Sequence, residues 1–445
     1  MTDLQALASQ LLDAARAAGA DAADALVTDG HQISIDVRGG RLEEAQRAEG
    51  IDYGLRVLIG RRQAVVSSQD ARPDAVRAAA ERAVAMAREA PEDPSVGLAD
   101  PDQLADRVPD LDLADDAGDP GPEALRDLAL AAEAAALDVA GIAKTDGTGA
   151  GAMRRRVRLA GTNGMDLGYE TTSRSVSVVA ITGEGTGMER DWAYDARTHL
   201  ADLDAPEAIG RLAAERTLAR RAPRRPKTGT YPVLFDERVA SGLIGHLVQA
   251  VNGGMIARGS SWAKDLMDRP VLPDGLTLTE QPLRPRVGGS RPVDAEGLPA
   301  AESDIVADGR LVRWVLDLAT GRRLGLSSTA NARRGTGGPP APSVTNLRLT
   351  PGTASREDLI AGMGTGLLVT SLIGSTINPN TGDYSRGAAG LWIENGEPVH
   401  AVSEVTIAGN LREMLRAIVP ANDARAHVSH VIPSLLVPAM TLAGD

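Results

Sequence analysis

Cysteine is absent from all 445 residues. The chain can therefore form no disulfide, offers no thiolate nucleophile and holds no Cys-ligated metal. That composition suits a reducing compartment. Aromatic residues are scarce as well, at 2% of the chain, with a single Phe. The core must be built from Leu, Val, Ile, Ala and Met, and no aromatic platform for stacking nucleic-acid bases is available. Positive charge is in deficit, with 47 Lys+Arg against 60 Asp+Glu and a net charge of −13. Such a chain repels phosphate backbones, which argues against nucleic acid as a partner. No apolar run approaches the ~20 residues needed to cross a bilayer. The start, Met1-Thr-Asp-Leu-Gln5, lacks the basic and apolar regions of a signal peptide. The expected location is the cytoplasm, away from membranes.

Several catalytic motifs are missing too. There is no G-x-S-x-G elbow, no phosphate-cradling G-x-x-x-x-G-K-[ST] and no H-E-x-x-H. Gly362-Met-Gly-Thr-Gly366 precedes a strand pattern and so is not a dinucleotide fingerprint, and Gly335-Thr-Gly-Gly-Pro-Pro340 reads as a flexible turn. Asn252-Gly-Gly254 reads as a helix stop.

What is present reads as α+β. Length alone suggests about three domains. Leu4, Leu11, Leu12, Ala15 and Ala18 follow helical spacing, and Gly19 ends the run. Short strands follow at 25–28, 33–37, 54–59 and 64–66, then a helix from Pro73 to about Ala90. Residues 91–121 form an acidic, Pro-punctuated stretch expected to be a solvated connection, without the ligand spacing of a calcium loop. The texture then repeats: a helix from Pro122 to about Ala140, strands near 154–160, 165–171, 175–181 and 189–196, and a helix over 205–221. A basic bridge, 222–229, reads as a solvated linker. Beyond it, Tyr231–Phe235 is a strand, and Asp236 caps a helix over 237–251. Short strands are expected at 310–316, 345–349, 366–372, 390–393, 399–407 and 435–442, with one helix over 411–419. Asn395-Gly396 marks a type I′ hairpin turn. The expected domains are residues 1–118, 119–226 and 227–445: two helix–antiparallel-sheet–helix units followed by a large β-rich, barrel-like domain.

Six histidines can be tested for metal chemistry. His427 and His430 are three apart and could chelate if helical, but two imidazoles make a weak site. His246 lies on an apolar helix, where packing is the ordinary role of a lone imidazole. The densest polar cluster is Asn378-Pro-Asn-Thr-Gly-Asp-Tyr-Ser-Arg386. It reads equally as a well-capped loop between strands and as a loop presenting polar groups to a ligand.

That cluster continues into Gly387-Ala-Ala-Gly-Leu-Trp-Ile-Glu-Asn-Gly396 and on to Asn410. The whole stretch closely resembles the C-terminal signature of the TldD/TldE family, in its TldE or PmbA branch. Gly245-His-Leu, Ala257-Arg-Gly-Ser-Ser261, Asp294-Ala-Glu-Gly297 and Gly325-Leu-Ser-Ser-Thr329 support the resemblance, which spans essentially the whole chain. It implies a heterodimeric, cytoplasmic metallopeptidase acting on unfolded or modified peptides. In that family the TldD branch carries H-E-x-x-x-H on the helix opening its C-terminal domain, and a Cys near the C-terminus completes the zinc site. By similarity the helix here is 237–251. Gly245 and Ala250 then stand at the two ligand positions and His246 at the position of the catalytic Glu. No Cys can match. Hydrolytic zinc needs about three protein ligands and an open site for water. The resemblance therefore implies a subunit with no cofactor of its own, paired with a zinc-bearing TldD-type chain. It would enclose the chamber and bind peptide through His246, Asn378, Thr381, Asp383, Tyr384, Ser385 and Arg386, with no catalytic residue of its own. Two other expectations stay open: an independent hydrolase using His427 and His430, and a stand-alone peptide-binding module, alone or as a homodimer.

Overall fold

A computed structural model describes residues 3–445; Met1 and Thr2, at the head of the segment read as lacking a signal sequence, lie outside the described residues. The N-terminal elements are α1 (Leu4–Ala18), β1 (Ala22–Arg38), β2 (Arg41–Ile59), β3 (Arg62–Ser68), α2 (Pro73–Glu89), α3 (Pro122–Leu137), β4 (Ile142–Gly161), β5 (Asp166–Thr182), β6 (Glu189–Arg197) and α4 (Pro206–Leu218). Asp3 caps α1 by accepting from the backbone N–H of Gln5 and Ala6, and Gly19 closes it in the left-handed conformation. Proline opens each of α2, α3 and α4, where its missing N–H costs nothing.

The two helix–sheet–helix units keep separate helix pairs and separate apolar clusters. Their strands, however, join in one antiparallel sheet of order β3-β2-β1-β4-β5-β6, with β1 against β4 as the seam. The side-chain period of two sorts this sheet into two faces. Ala23, Ala25, Val27, Ile33, Ile35 and Val37 of β1 pack against the helices. Asp24 and Leu26 point the opposite way, toward the C-terminal domain. Strand length is where expectation and structure part. What reads as separate short strands at 25–28 and 33–37 is one 17-residue strand, and β2 runs 19 residues although its first ten are exposed. Polar residues with no buried face leave no alternation to detect, yet backbone pairing to β1 continues through them.

The C-terminal domain comprises β7 (Gly229–Phe235), α5 (Glu237–Ala250), α6 (Gly253–Ala257), β8 (Leu278–Glu280), β9 (Ser303–Ala307), β10 (Arg310–Leu311), α7 (Leu318–Leu324), β11 (Ala332–Arg333), β12 (Ala341–Pro342), β13 (Leu347–Leu349), α8 (Arg356–Met363), β14 (Gly366–Ile377), β15 (Asp383–Glu394), β16 (Glu397–Asn410), α9 (Leu411–Arg416), β17 (Val419–Pro420), β18 (His430–Val431) and β19 (Leu435–Ala443). Strands β16, β15, β14, β7 and β19 pair in that order, and β16 pairs back onto β19, which closes a five-stranded barrel. Closure removes the free edges of an open sheet. The β15–β16 hairpin turns at Asn395 and Gly396, both at positive φ (53° and 79°), as its Asn-Gly pair requires. A smaller sheet, β10-β9-β8-β13-β18, flanks the barrel.

Three expected loops are anchored segments. Residues 91–121 are irregular, but Val96, Ala99, Leu111 and Leu113 are buried. Arg322 donates to the carbonyl oxygens of Ser95 and Leu98, which ties this strap to the C-terminal domain. The bridge 222–229 lies on the barrel: Arg224 N–H donates to Ala401 O at 2.9 Å. The turn at 335–340 abuts β2, where Thr336 Oγ1 donates to Asp52 at 2.6 Å and a Cβ on Gly54 would meet Thr336 O at 2.2 Å. Asn252, expected to stop a helix, caps the next one by accepting from Gly254 N–H at 2.9 Å. The helix expected over 411–419 is confined to 411–416.

Candidate functional site

Helix α5 follows directly from β7, so the barrel fixes its entry. Asp236 sits at the junction, 4% exposed, and its carboxylate accepts from Arg238 N–H at 3.2 Å. The Arg238 Nε and Arg356 Nη1 groups add charge-assisted bonds at 3.1 and 3.0 Å. Ala240, Leu243, Ile244 and Leu247 recur at helical spacing and are buried with Val233, Phe235, Leu367, Val369 and Trp392 of the barrel. Burial of each larger aliphatic side chain contributes about 1.5–3 kcal/mol, so this face locks the helix against the barrel.

His246 projects from α5, half-buried. Its ring meets Tyr384 of β15 edge-on, with centroids 5.7 Å apart and planes at 73°. Burial, and then the nearby Arg386 guanidinium, lower its pKa below the ordinary 6.5, so the ring is neutral at neutral pH. Its Nε2 is buried and has no hydrogen-bond partner among the described residues. Burial pushes the Tyr384 phenol up to about 12, with Arg386 opposing. Arg386 is itself held by donation from Nε to Gly374 O at 2.7 Å. A neutral imidazole, a protonated phenol and a guanidinium thus meet on one side of β15. These groups can donate and accept hydrogen bonds, but none is set up as a nucleophile.

The rest of the polar cluster is occupied locally. Thr381 Oγ1 donates to Asp383 Oδ2 at 2.6 Å, and Asn410 Nδ2 donates to Asp383 Oδ1 at 3.1 Å. Those bonds hold the Asp383 carboxyl below its ordinary range. Asn378 accepts from Asn380 N–H through its side chain at 3.0 Å. Ser385, between Tyr384 and Arg386 on the strand, points to the other face of β15. The structure therefore brings His246, Tyr384 and Arg386 together, while Asn378, Thr381 and Asp383 build the β14–β15 turn.

The zinc site implied for the catalytic branch does not fit these residues. Gly245 and Ala250 carry no donor atom. Among the described residues no group of three or more His, Asp or Glu side chains is placed to hold an ion. The His427–His430 segment is not helical. His427 lies in a turn, 3.6 Å from Asp195, and His430 opens β18, where burial lowers its pKa. The two rings line different cavities, so the chelating geometry that helical spacing would give is not formed.

Sequence reasoning missed the charged groups at the seam between the sheet and the C-terminal domain. Asp24 and Arg56 face each other across β1 and β2 and are joined there by Arg334 from the C-terminal domain, all deeply buried. Asp294 and Glu296 are buried nearby. Only Asp294-Ala-Glu-Gly297 signalled this region, and only as part of a resemblance.

Models of the PmbA/TldA metallopeptidase match the chain in three consecutive pieces: domain 1 over residues 23–87, the central domain over 115–221 and the C-terminal domain over 228–444. Metalloprotease PmbA of Escherichia coli O157:H7 is 39% identical over 428 residues, covering 96% of this chain and 93% of that protein. A metalloprotease PmbA homolog of Haemophilus influenzae is 33% identical, covering 100% of this chain and 96% of its own length. Among solved structures, a Bacteroides thetaiotaomicron protein described as a candidate modulator of DNA gyrase superposes with a TM-score of 0.91 at 26% identity, covering 99% of each chain. TldE from Thermococcus kodakarensis shares the fold, with a TM-score of 0.86 at 21% identity over 98% of this chain and 100% of that one.

Proposed function

The chain belongs to the PmbA/TldD family of metalloprotease-like proteins, and from that premise we propose that it is the metal-free TldE-type subunit of a heterodimeric peptidase. Its partner is a TldD-type chain that supplies the zinc. Together they degrade or mature unfolded or modified peptides in the cytoplasm. This chain closes part of the chamber and binds peptide through His246, Tyr384 and Arg386. The observation that carries the reading is the donor set on α5: hydrogen and methyl side chains at Gly245 and Ala250, beside one imidazole whose protonation is disfavoured. The half-buried Arg386 guanidinium can donate to the C=O groups of an extended backbone, whichever side chains that backbone carries. That fits broad choice among unfolded peptides.

The test is co-expression with the TldD-type chain, followed by mass measurement and peptide cleavage with each chain omitted in turn. Cleavage is expected only when both are present, from a one-to-one complex. Zinc analysis of the isolated chain is expected to fall far below one ion per chain. One tightly bound zinc in the isolated chain, with chelator-sensitive hydrolysis, would overturn the reading.

A further inference from the structure

A cleft of about 460 Å³ lies between the six-stranded sheet and the C-terminal domain, away from His246. Its sheet wall carries Arg155 and Tyr169. In the β4–β5 register Val157 faces Tyr169 and Arg155 faces Thr171, so Arg155 is the diagonal neighbour of Tyr169 on the same face. The opposite wall carries Arg291 and Arg333, with Ser429 and His430 beside them. All three guanidiniums act on the Tyr169 phenol.

These arginines lack the partners that others in this chain have. Arg334, next in sequence to Arg333, is neutralised by Asp24, and Arg154 and Arg156 on either side of Arg155 pair with Asp119 and Asp29. By contrast, the side chains of Arg155 and Arg333 make neither ion pair nor hydrogen bond among the described residues. Arg291 is half-buried, and among the described residues its side chain donates only to Val344 O, at 2.8 Å. The one acid on the wall, Asp294, already accepts three backbone N–H bonds, from Glu296, Leu298 and Ala332. Burial and then the neighbouring Arg333 lower the Arg291 pKa, with Glu280 and Asp294 opposing, and Glu280 is already bonded to Arg313 and Asn331. Arg155 and Arg333 remain exposed, so the cleft is reachable from solvent.

We propose that this cleft is a binding site for an oxyanion, a carboxylate or phosphate group, clamped between Arg155 on the sheet and Arg291 and Arg333 on the C-terminal domain. A guanidinium presents paired donors that match such a group. Because the ligand would bridge both walls, its binding would also draw the sheet and the C-terminal domain together. A second cavity shares Thr171, Gly288 and Ser429 with this one, so the cleft continues as a groove that can lead an extended chain to the clamp.

Calorimetric titration of the full chain tests this with three probes: inorganic phosphate, a pentapeptide with a free C-terminal carboxylate, and the same peptide amidated. At least one oxyanion probe is expected to bind saturably at one per chain, and to weaken as salt is raised. The double variant Arg155→Ala/Arg333→Ala removes two exposed, unpartnered side chains and is expected to weaken binding about tenfold or more. Arg77→Ala, a charge control on exposed α2, is expected to leave binding unchanged. Preference for the free acid over the amide identifies a peptide terminus as the source; phosphate alone identifies a free anion. No saturable binding of phosphate or free acid, equal binding of acid and amide without phosphate binding, or unchanged affinity in the double variant would each overturn the proposal.

Discussion

Arg334→Ala is the perturbation that most directly tests how the sheet and the C-terminal domain are held together. Asp24 is fully buried, and burial by itself would raise its pKa. The charges of Arg56 and Arg334 outweigh that, and the carboxyl lies below its ordinary range. Arg56 Nε donates to Asp24 Oδ2 at 2.9 Å from within the sheet. Arg334 donates to Asp24 Oδ1 from the C-terminal domain, and its other Nη donates to Gly54 O at 3.1 Å. Removing one partner of a buried pair costs about 3–5 kcal/mol. Here Asp24 keeps Arg56, so the expected loss is about 2–4 kcal/mol in the opening of the seam. Native-state hydrogen exchange of β1 and β2 amides around Leu26 and Gly54 reads that opening locally, without requiring the whole chain to unfold as one unit.

The pH dependence has a definite sign. A carboxyl with a depressed folded pKa contributes stability above its unfolded value, about 3.9, and loses it as pH falls through the folded value. Without Arg334 the folded pKa rises, so the variant takes up its proton first. The difference between wild type and variant therefore narrows as pH falls from 7 toward 4. A loss below about 0.5 kcal/mol at pH 7, or a gap that widens in acid, would refute the reasoning. An apolar triad at positions 24, 56 and 334 is expected to recover much of the loss, because it also removes the cost of burying the charges.

Element type was legible wherever one face of a segment is buried and the other is wet. Helix α5 was expected over 237–251 and runs over 237–250, because Ala240, Leu243, Ile244 and Leu247 form an unbroken stripe behind a real cap. The Asn395-Gly396 turn was legible because its chemistry is local. The length of β2 was not, since residues 41–50 bury nothing and are held by backbone pairing alone. The strap at 91–121 misled for the opposite reason: its composition is that of a solvated loop, and its burial is imposed by the domain it crosses.

Legibility of the candidate site divides along the same line. His246, Tyr384 and Arg386 were named from sequence and do meet, but the distinction between them and Asn378, Thr381 and Asp383 required the hydrogen bonds of the turn. The arginine clamp was invisible, because Arg155, Arg291 and Arg333 come from segments far apart in the chain. The run Arg154-Arg-Arg156 was its one signal, and in an acidic chain such a run ordinarily means surface ion pairs, as Arg154 and Arg156 indeed make.

Three further outcomes are expected. The His246 imidazole titrates below 6.5 by NMR, and Arg386→Ala raises its midpoint while burial still holds it under the ordinary value; a wild-type midpoint at or above 6.5 would contradict the site geometry. Gly396→Ala places a methyl 2.6 Å from Ala361 O at a positive-φ position and is expected to cost about 1–3 kcal/mol in thermal unfolding, whereas an unchanged midpoint would mean the hairpin is free to move. The third concerns Glu296, which burial, followed by repulsion from Asp294, pushes up to about 8. Its proton is retained in the folded chain at neutral pH but lost in the unfolded one, so wild-type stability should fall as pH rises from about 4.5 toward 8. Glu296→Gln keeps a neutral side chain at every pH and should flatten that decline in a denaturant series. If both proteins lose stability in parallel over this window, Glu296 is ionised in the fold, and the buried carboxyl must find its compensation in Arg56 and the Leu318 N–H.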